Sequence, residues 1–166
     1  MQTATVADSC TLHSMFTRTI DHPSWFPAIQ HYMGEAQPAI HEMFVNIRGP
    51  GGQITVHGGA PKRDGSIAAS IIAGQWAVQY LSLIVALNDI GPGDGATCLV
   101  PGSHKSELRH PAQVAAGGTT TQAGVSATEL EEIADGHTGL QEIELMAGDA
   151  VLFNDSVLHG SVRFYF

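Results

Sequence analysis

Residues 91–106 read GPGDGATCLVPGSHKS, and the reading of that stretch decides the fold. Glycine and proline bracket one short apolar run, Cys98 to Val100, so the segment is a buried strand between two tight turns rather than part of a helix. Asp94 stands between two glycines at the strand entrance. An aspartate there closes a turn by bonding nearby backbone while its glycine neighbours supply positive φ. The same glycines would also let a short carboxylate come close to a metal.

Outward from this strand, others follow with the same punctuation. ITVHGG (54–59) is a β-branched run broken by two glycines, and PAIHEMFVNIRGPGG (38–52) alternates and ends in a Gly/Pro turn. QWAVQYLSLIVALNDI (75–90) is continuous, apolar and without helix caps, and reads as one central strand. EIELMAGDAVLFN (142–154) and SVLHGSVRFYF (156–166) add strands with turns at Gly148-Asp149, complementing the one at Pro101-Gly102. One helix is expected in DHPSWFPAIQHYMG (21–34), capped by Asp21 or Ser24, with Trp25, Ile29 and Tyr32 or Met33 on one face and Gly34 as its stop. Many short strands with Gly/Pro turns predict a mainly β chain: a sandwich, jelly roll or barrel.

The 166 residues and 17.5 kDa fit one domain over 1–166, enough to bury a core without staples. Residues 112–138 differ, being small, polar and weakly patterned apart from a capping-box spacing between Ser126 and Glu129. A lid or flexible insert is expected there, with Glu129, Glu131, Glu132 and Asp135 forming a solvated face. Cys10 and Cys98 make no disulfide framework. No signal peptide and no membrane-spanning run is read, so a cytoplasmic location is expected. Seven Lys+Arg against sixteen Asp+Glu leave a formal charge of −9, which disfavours nucleic acid and anionic membranes as partners.

Nine histidines outnumber the lysines and arginines together, and histidine is the commonest metal ligand. His57 in VHGG and His159 in VLHGS each end an apolar strand and each precede a glycine, which lets another group approach the imidazole. In a jelly roll, strands remote in sequence pair across a sheet, so the two histidines can share one ion. Two imidazoles and a carboxylate on one face, with open positions, is the arrangement of non-haem Fe(II) oxygenases.

The run GPGDGATCLVPGSHKS, the upstream ITVHGG and the downstream AGDAVLFNDSVLHGS together resemble the phytanoyl-CoA dioxygenase family of Fe(II)/2-oxoglutarate-dependent oxygenases, in order and spacing, over residues 21–161. The resemblance implies a double-stranded β-helix (cupin-like jelly roll) that holds Fe(II) through His57 and His159, with 2-oxoglutarate beside it and O₂ as co-substrate. It implies an oxidoreductase that hydroxylates a small organic substrate. Few lysines and a charge of −9 suit the phosphates of coenzyme A poorly, so an acyl-CoA substrate is not expected.

The chain departs from the family pattern twice. Where the family has aspartate two residues after the first histidine, this sequence has Gly59. Three readings stay open: Asp94 reaches the metal from the neighbouring strand, the site has only two histidines as in related halogenases, or Asp94 only closes its turn. Asp64, Asp89, Asp149 and Asp155 are weaker candidates, each read as a turn or strand-end residue. The family also binds the far carboxylate of 2-oxoglutarate with an arginine beyond the distal histidine, because guanidinium is a bidentate, permanent cation. Arg163 is the arginine available there, and Ser161 and Arg163 share a strand face with His159. The short spacing before Phe166 reads as C-terminal truncation, with VRFYF as an exposed edge suited to a homodimer. A non-catalytic jelly roll that binds a ligand or partner is the alternative. Ser103 is read as an N-cap, and His13, His22, His31, His104, His110 and His137 as turn or surface residues.

Overall fold

The computed structural model describes residues 4–7, 13–34, 37–51, 54–58, 69–72, 75–78, 80–105 and 139–161. Within them the chain is mainly β. Ten strands follow one another as β1 (Ala4–Ala7), β2 (Phe44–Ile47), β3 (Ile54–His57), β4 (Ala69–Ile72), β5 (Gln75–Val78), β6 (Leu81–Val85), β7 (Thr97–Leu99), β8 (Gln141–Glu142), β9 (Ala150–Asn154) and β10 (His159–Ser161). Two helices, α1 (Ser14–Ile20) and α2 (Phe26–Met33), lie between β1 and β2. The expected insert at 112–138, Gly59, Asp64, Arg163 and the VRFYF edge fall outside the described residues.

Every ladder is antiparallel. β3, β10, β7 and β8 form a four-stranded sheet in that order, β6 pairs with β9, β4 with β5 and β1 with β2. Strands from the middle of the chain are therefore zipped to strands from its end, as the jelly-roll expectation requires. In β3–β10–β7 the register aligns His159 with His57 on one side and with Leu99 on the other. Side chains alternate faces along a strand, so Val56 and Cys98 turn to the face opposite the histidines. There they join Val100 and Leu158 as a buried apolar cluster, with Leu140 packed on its edge. Each such side chain contributes about 1.5–3 kcal/mol when taken out of water.

Glycine makes this sheet close. A Cβ on Gly160 would sit 2.8 Å from the Val56 Cα and 2.9 Å from the Ile54 carbonyl oxygen, so β10 approaches β3 only because position 160 has no side chain. The register between them slips by one residue between His159 and Ser161, a bulge that bends the strand next to the histidine pair.

The run 75–90 is two strands, not one. β5 pairs with β4 and β6 with β9, so the chain changes partners near Tyr80, inside an uninterrupted apolar run. The helix expected at 21–34 is α2, ended by Gly34 at φ +71° as read, but it starts at Phe26 behind Trp25 without a side-chain cap, using Pro27 in its first turn. Trp25 is buried and its indole donates to the Thr19 carbonyl at 2.8 Å, while Tyr32 is exposed. Asp21 ends α1 instead of starting α2. Helix α1 was not expected, and neither was its cap: the His13 Nδ1 accepts the Met15 amide at 3.1 Å.

Candidate metal centre

β3 and β10 each deliver one imidazole to the same face of the sheet. His57 ends β3, His159 begins β10, and the two are direct cross-strand partners whose ring centroids lie 4.1 Å apart. The His-Gly dipeptides explain the approach. Gly58 has φ +87°, and a Cβ there would come within 2.3 Å of the Val157 carbonyl oxygen and 3.1 Å of the His159 Nδ1. Only glycine lets the end of β3 run beneath the bend that precedes β10.

His159 is held from three sides. Its Nδ1 donates to the Val157 carbonyl at 2.7 Å, and since a carbonyl only accepts, Nδ1 carries the proton and Nε2 is left to face outward. Phe153 of β9 stands edge-on to the ring with centroids 4.9 Å apart. Burial first, and the neighbouring His57 second, hold its pKa below the usual histidine value, against the opposing pull of the Val157 bond and Asp155. A buried neutral imidazole with an oriented Nε2 is the donor form that a divalent metal takes.

Asp155 is the carboxylate near this pair. Its Oδ1 lies 3.7 Å from the His159 Nε2 and accepts from the Ser82 hydroxyl of β6 at 3.0 Å. Sequence reasoning had placed it merely in a bend. The signal that would have found it is an acid four residues ahead of a strand-end histidine, with a bend between them that turns it back over the ring.

Asp94 and the histidines are not brought together. Its Oδ2 accepts the Gly91 amide at 2.9 Å, its own amide donates to the Gly91 carbonyl at 3.2 Å, and the side chain is exposed. Within β7 it is Leu99 that faces His159, whereas Thr97 faces Ser161. Asp94 therefore lies a turn beyond the far end of a strand that already spans about 7 Å between those two positions. Of the three readings of Asp94, turn closure is the one its contacts carry out. Ser161 shares the histidine face and is buried, but its hydroxyl accepts the Ile54 amide at 2.6 Å and so mends the bulge. Asp149 and Asp89 accept the Met146 amide and the Ala147 amide respectively, so both serve the turn before β9. Ser103 accepts the Leu158 amide at 2.8 Å from the start of a short 3₁₀ turn, a tie to the strand beside His159 rather than an N-cap. Among the described residues no three His, Cys, Asp or Glu side chains already stand as a complete ligand set.

A cavity of about 410 Å³ lies elsewhere, lined by Trp25, Ala28, Leu83 and Leu152 among others. Leu83 and Leu152 are partners on one face of the β6–β9 ladder, while Ser82 and Phe153 are partners on the other. The cavity is thus on the helix side of that ladder and the histidines are on the opposite side.

The sequence profile of phytanoyl-CoA dioxygenase (PhyH) matches residues 2–163. No curated protein matches the chain in sequence. Among solved structures, HygX from Streptomyces hygroscopicus with nickel and 2-oxoglutarate bound is similar at a TM-score of 0.75 and 23% identity, covering 99% of this chain and 64% of HygX. HygX with iron bound is similar at a TM-score of 0.70 and 22% identity, covering 98% and 66%. HygX with nickel, 2-oxoglutarate and hygromycin B bound is similar at 0.71 and 24%, covering 98% and 65%. The chain thus spans just under two thirds of the length of these relatives, and at such identities the likeness establishes the double-stranded β-helix fold. No helix among the described residues is long and apolar enough to cross a membrane.

Proposed function

The chain belongs to the phytanoyl-CoA dioxygenase family, and on that premise we propose that it is an Fe(II)- and 2-oxoglutarate-dependent oxygenase that hydroxylates a small organic substrate. The observation that carries the proposal is the cross-strand pairing of His57 with His159, rings 4.1 Å apart on one sheet face. The HygX structures, which hold nickel or iron and 2-oxoglutarate on the same fold, support this choice of cofactors. Hygromycin B in one of them supports a polar small-molecule substrate class over a macromolecular one. A cytoplasmic setting accords with this chemistry.

His57 and His159 would hold the iron, which when bound supplies the open positions for the keto acid and O₂ and the oxidising power for hydroxylation. The chain's own residues prepare that place. Val157 fixes the His159 tautomer, Phe153 fixes its ring plane, and Gly58 keeps the neighbouring backbone out of the way. Phe153 also excludes water from one flank of the imidazole, with Ser156, Val157 and Leu158 buried behind it.

Binding of 2-oxoglutarate needs a cation for its far carboxylate, because an unpaired buried charge costs several kcal/mol. Arg163 is the proposed partner; the Ser161 hydroxyl, bound to Ile54, is spent and contributes little. This last observation also favours the second reading, a jelly roll that binds a ligand without turning over 2-oxoglutarate. One experiment separates them: 2-oxoglutarate is titrated into the Fe(II)-loaded protein under argon while the metal-to-ligand charge-transfer absorbance is followed. A saturable band that is lost in Arg163→Ala and in His159→Ala supports the oxygenase. Fe(II) binding with no such band supports the second reading.

A further inference from the structure

We propose that Asp155 supplies the carboxylate of the metal centre in this chain, in the role that Gly59 leaves vacant. The inference rests on the two-histidine reading above and concerns which acid completes it. Its starting point is a juxtaposition of two electron-pair donors. The Val157 carbonyl claims the proton on the His159 Nδ1, so Nε2 presents a lone pair, and 3.7 Å in front of it stands the Asp155 Oδ1. Two lone pairs directed at one point repel unless a cation lies between them.

The spacing suits such a cation. Metal bonds to nitrogen and oxygen of about 2.0–2.2 Å let two donors on one ion stand anywhere up to about 4.4 Å apart, and 3.7 Å falls within that span. The carboxylate is also oriented as ligating carboxylates commonly are, by a donor behind it: the Ser82 hydroxyl at 3.0 Å. The bend that carries Asp155 is built into the fold. The Val157 amide donates to the Asn154 carbonyl at 2.9 Å and the Ser156 amide to the Asn154 side chain at 2.8 Å. The backbone of the same bend rides directly over Gly58, where a Cβ would stand 3.0 Å from the Asp155 carbonyl oxygen. One turn thereby sits against the backbone that follows His57 and presents its acid to His159.

Asp94 does not compete, since the Gly91 amide holds its carboxylate at the other end of β7. Asp155, His57 and His159 do not yet form a closed ligand set, so the ion draws the acid inward. The side chain of Asp155 is 34% exposed and free of tight packing, so rotation about its two torsions has little to oppose it.

The test measures Fe(II) affinity by anaerobic equilibrium dialysis, with no turnover required, for wild type, His159→Ala, Asp155→Asn, Asp155→Ala, and Asp155→Ala combined with Gly59→Asp. Circular dichroism melting accompanies each variant, and Asp155→Asn keeps an acceptor for Ser82, so loss of folding is separable from loss of a ligand. Expected is tight binding by wild type, a fall of about 100-fold or more in both Asp155 variants, beyond the 10–100-fold of outer-shell changes, and recovery when Gly59→Asp restores a carboxylate. Folded Asp155→Asn binding Fe(II) as wild type does, while His159→Ala does not, would overturn the proposal and leave the two-histidine centre standing. Wild type binding no better than His159→Ala would overturn both.

Discussion

The Leu158 amide donates to the Ser103 hydroxyl across 2.8 Å, both residues being completely buried. This bond ties the PGSH turn after β7 to the residue before the distal histidine. The reverse tie is made by backbone, the Val100 amide donating to the Leu158 carbonyl at 2.9 Å. Replacing Ser103 with alanine leaves a buried N–H without its acceptor, at a cost of about 1–3 kcal/mol. A lower urea midpoint with an unchanged slope would confirm that cost. Because Leu158 adjoins His159, Fe(II) affinity should fall with it.

Gly58 and Gly102 both adopt positive φ, +87° and +82°, yet only Gly58 is crowded. Alanine at 102 meets open space and suffers only the left-handed backbone penalty of roughly 1–2 kcal/mol. Alanine at 58 adds a collision with the Val157 carbonyl, the acceptor that orients His159. Gly58→Ala is therefore expected to lose more stability than Gly102→Ala, and to lose Fe(II) binding as well. Equal melting temperatures for the two variants would show that the bend over Gly58 yields.

Asp94→Ala should cost about 0.5–1.5 kcal/mol by removing the acceptor of the Gly91 amide, and should leave Fe(II) affinity at the wild-type value. Comparing its thermal midpoint with its metal isotherm separates the two. A drop in affinity without a drop in stability would restore Asp94 as a ligand.

How much of this was legible in the sequence depended on whether a local rule governed the position. The His-Gly strand ends were legible because glycine after a strand-end histidine has a steric meaning, and Gly58 and Gly160 carry it out. The Asx role of Asp149 was equally local. The break near Tyr80 was not, since β5 and β6 are both apolar and differ only in the partner each finds across the sheet. Helix α1 escaped because it buries no side chain and so has no apolar stripe to announce it. Asp155 and Ser103 took on their roles through contacts with Ser82 and Leu158, 73 and 55 residues away. No spacing rule reaches that far.

Cys98 gives the alkaline limb of stability. It lies on the apolar face of β7, 1% exposed, between Gly160 of β10 and Glu142 of β8. Burial foremost, with the Glu142 charge adding to it, pushes its thiol from 9.0 up to about 11. The folded state thus holds its proton where the unfolded chain has released it. The stabilisation tied to that proton is complete below the unfolded value of 9.0 and declines as pH rises towards about 11. A shift of this size corresponds to a loss on the order of 2–3 kcal/mol across that window. Tyrosine and lysine titrations act on wild type and on Cys98→Ala alike, so the difference between their urea midpoints isolates the thiol. The alanine variant starts less stable because of the cavity it opens, and the gap should narrow as pH passes through the window. A gap that stays constant up to about pH 11 would mean that the thiol ionises as readily in the fold as in the unfolded chain. Native protein at about pH 8 should correspondingly resist alkylation by iodoacetamide, because only the thiolate reacts, and should become reactive on addition of urea.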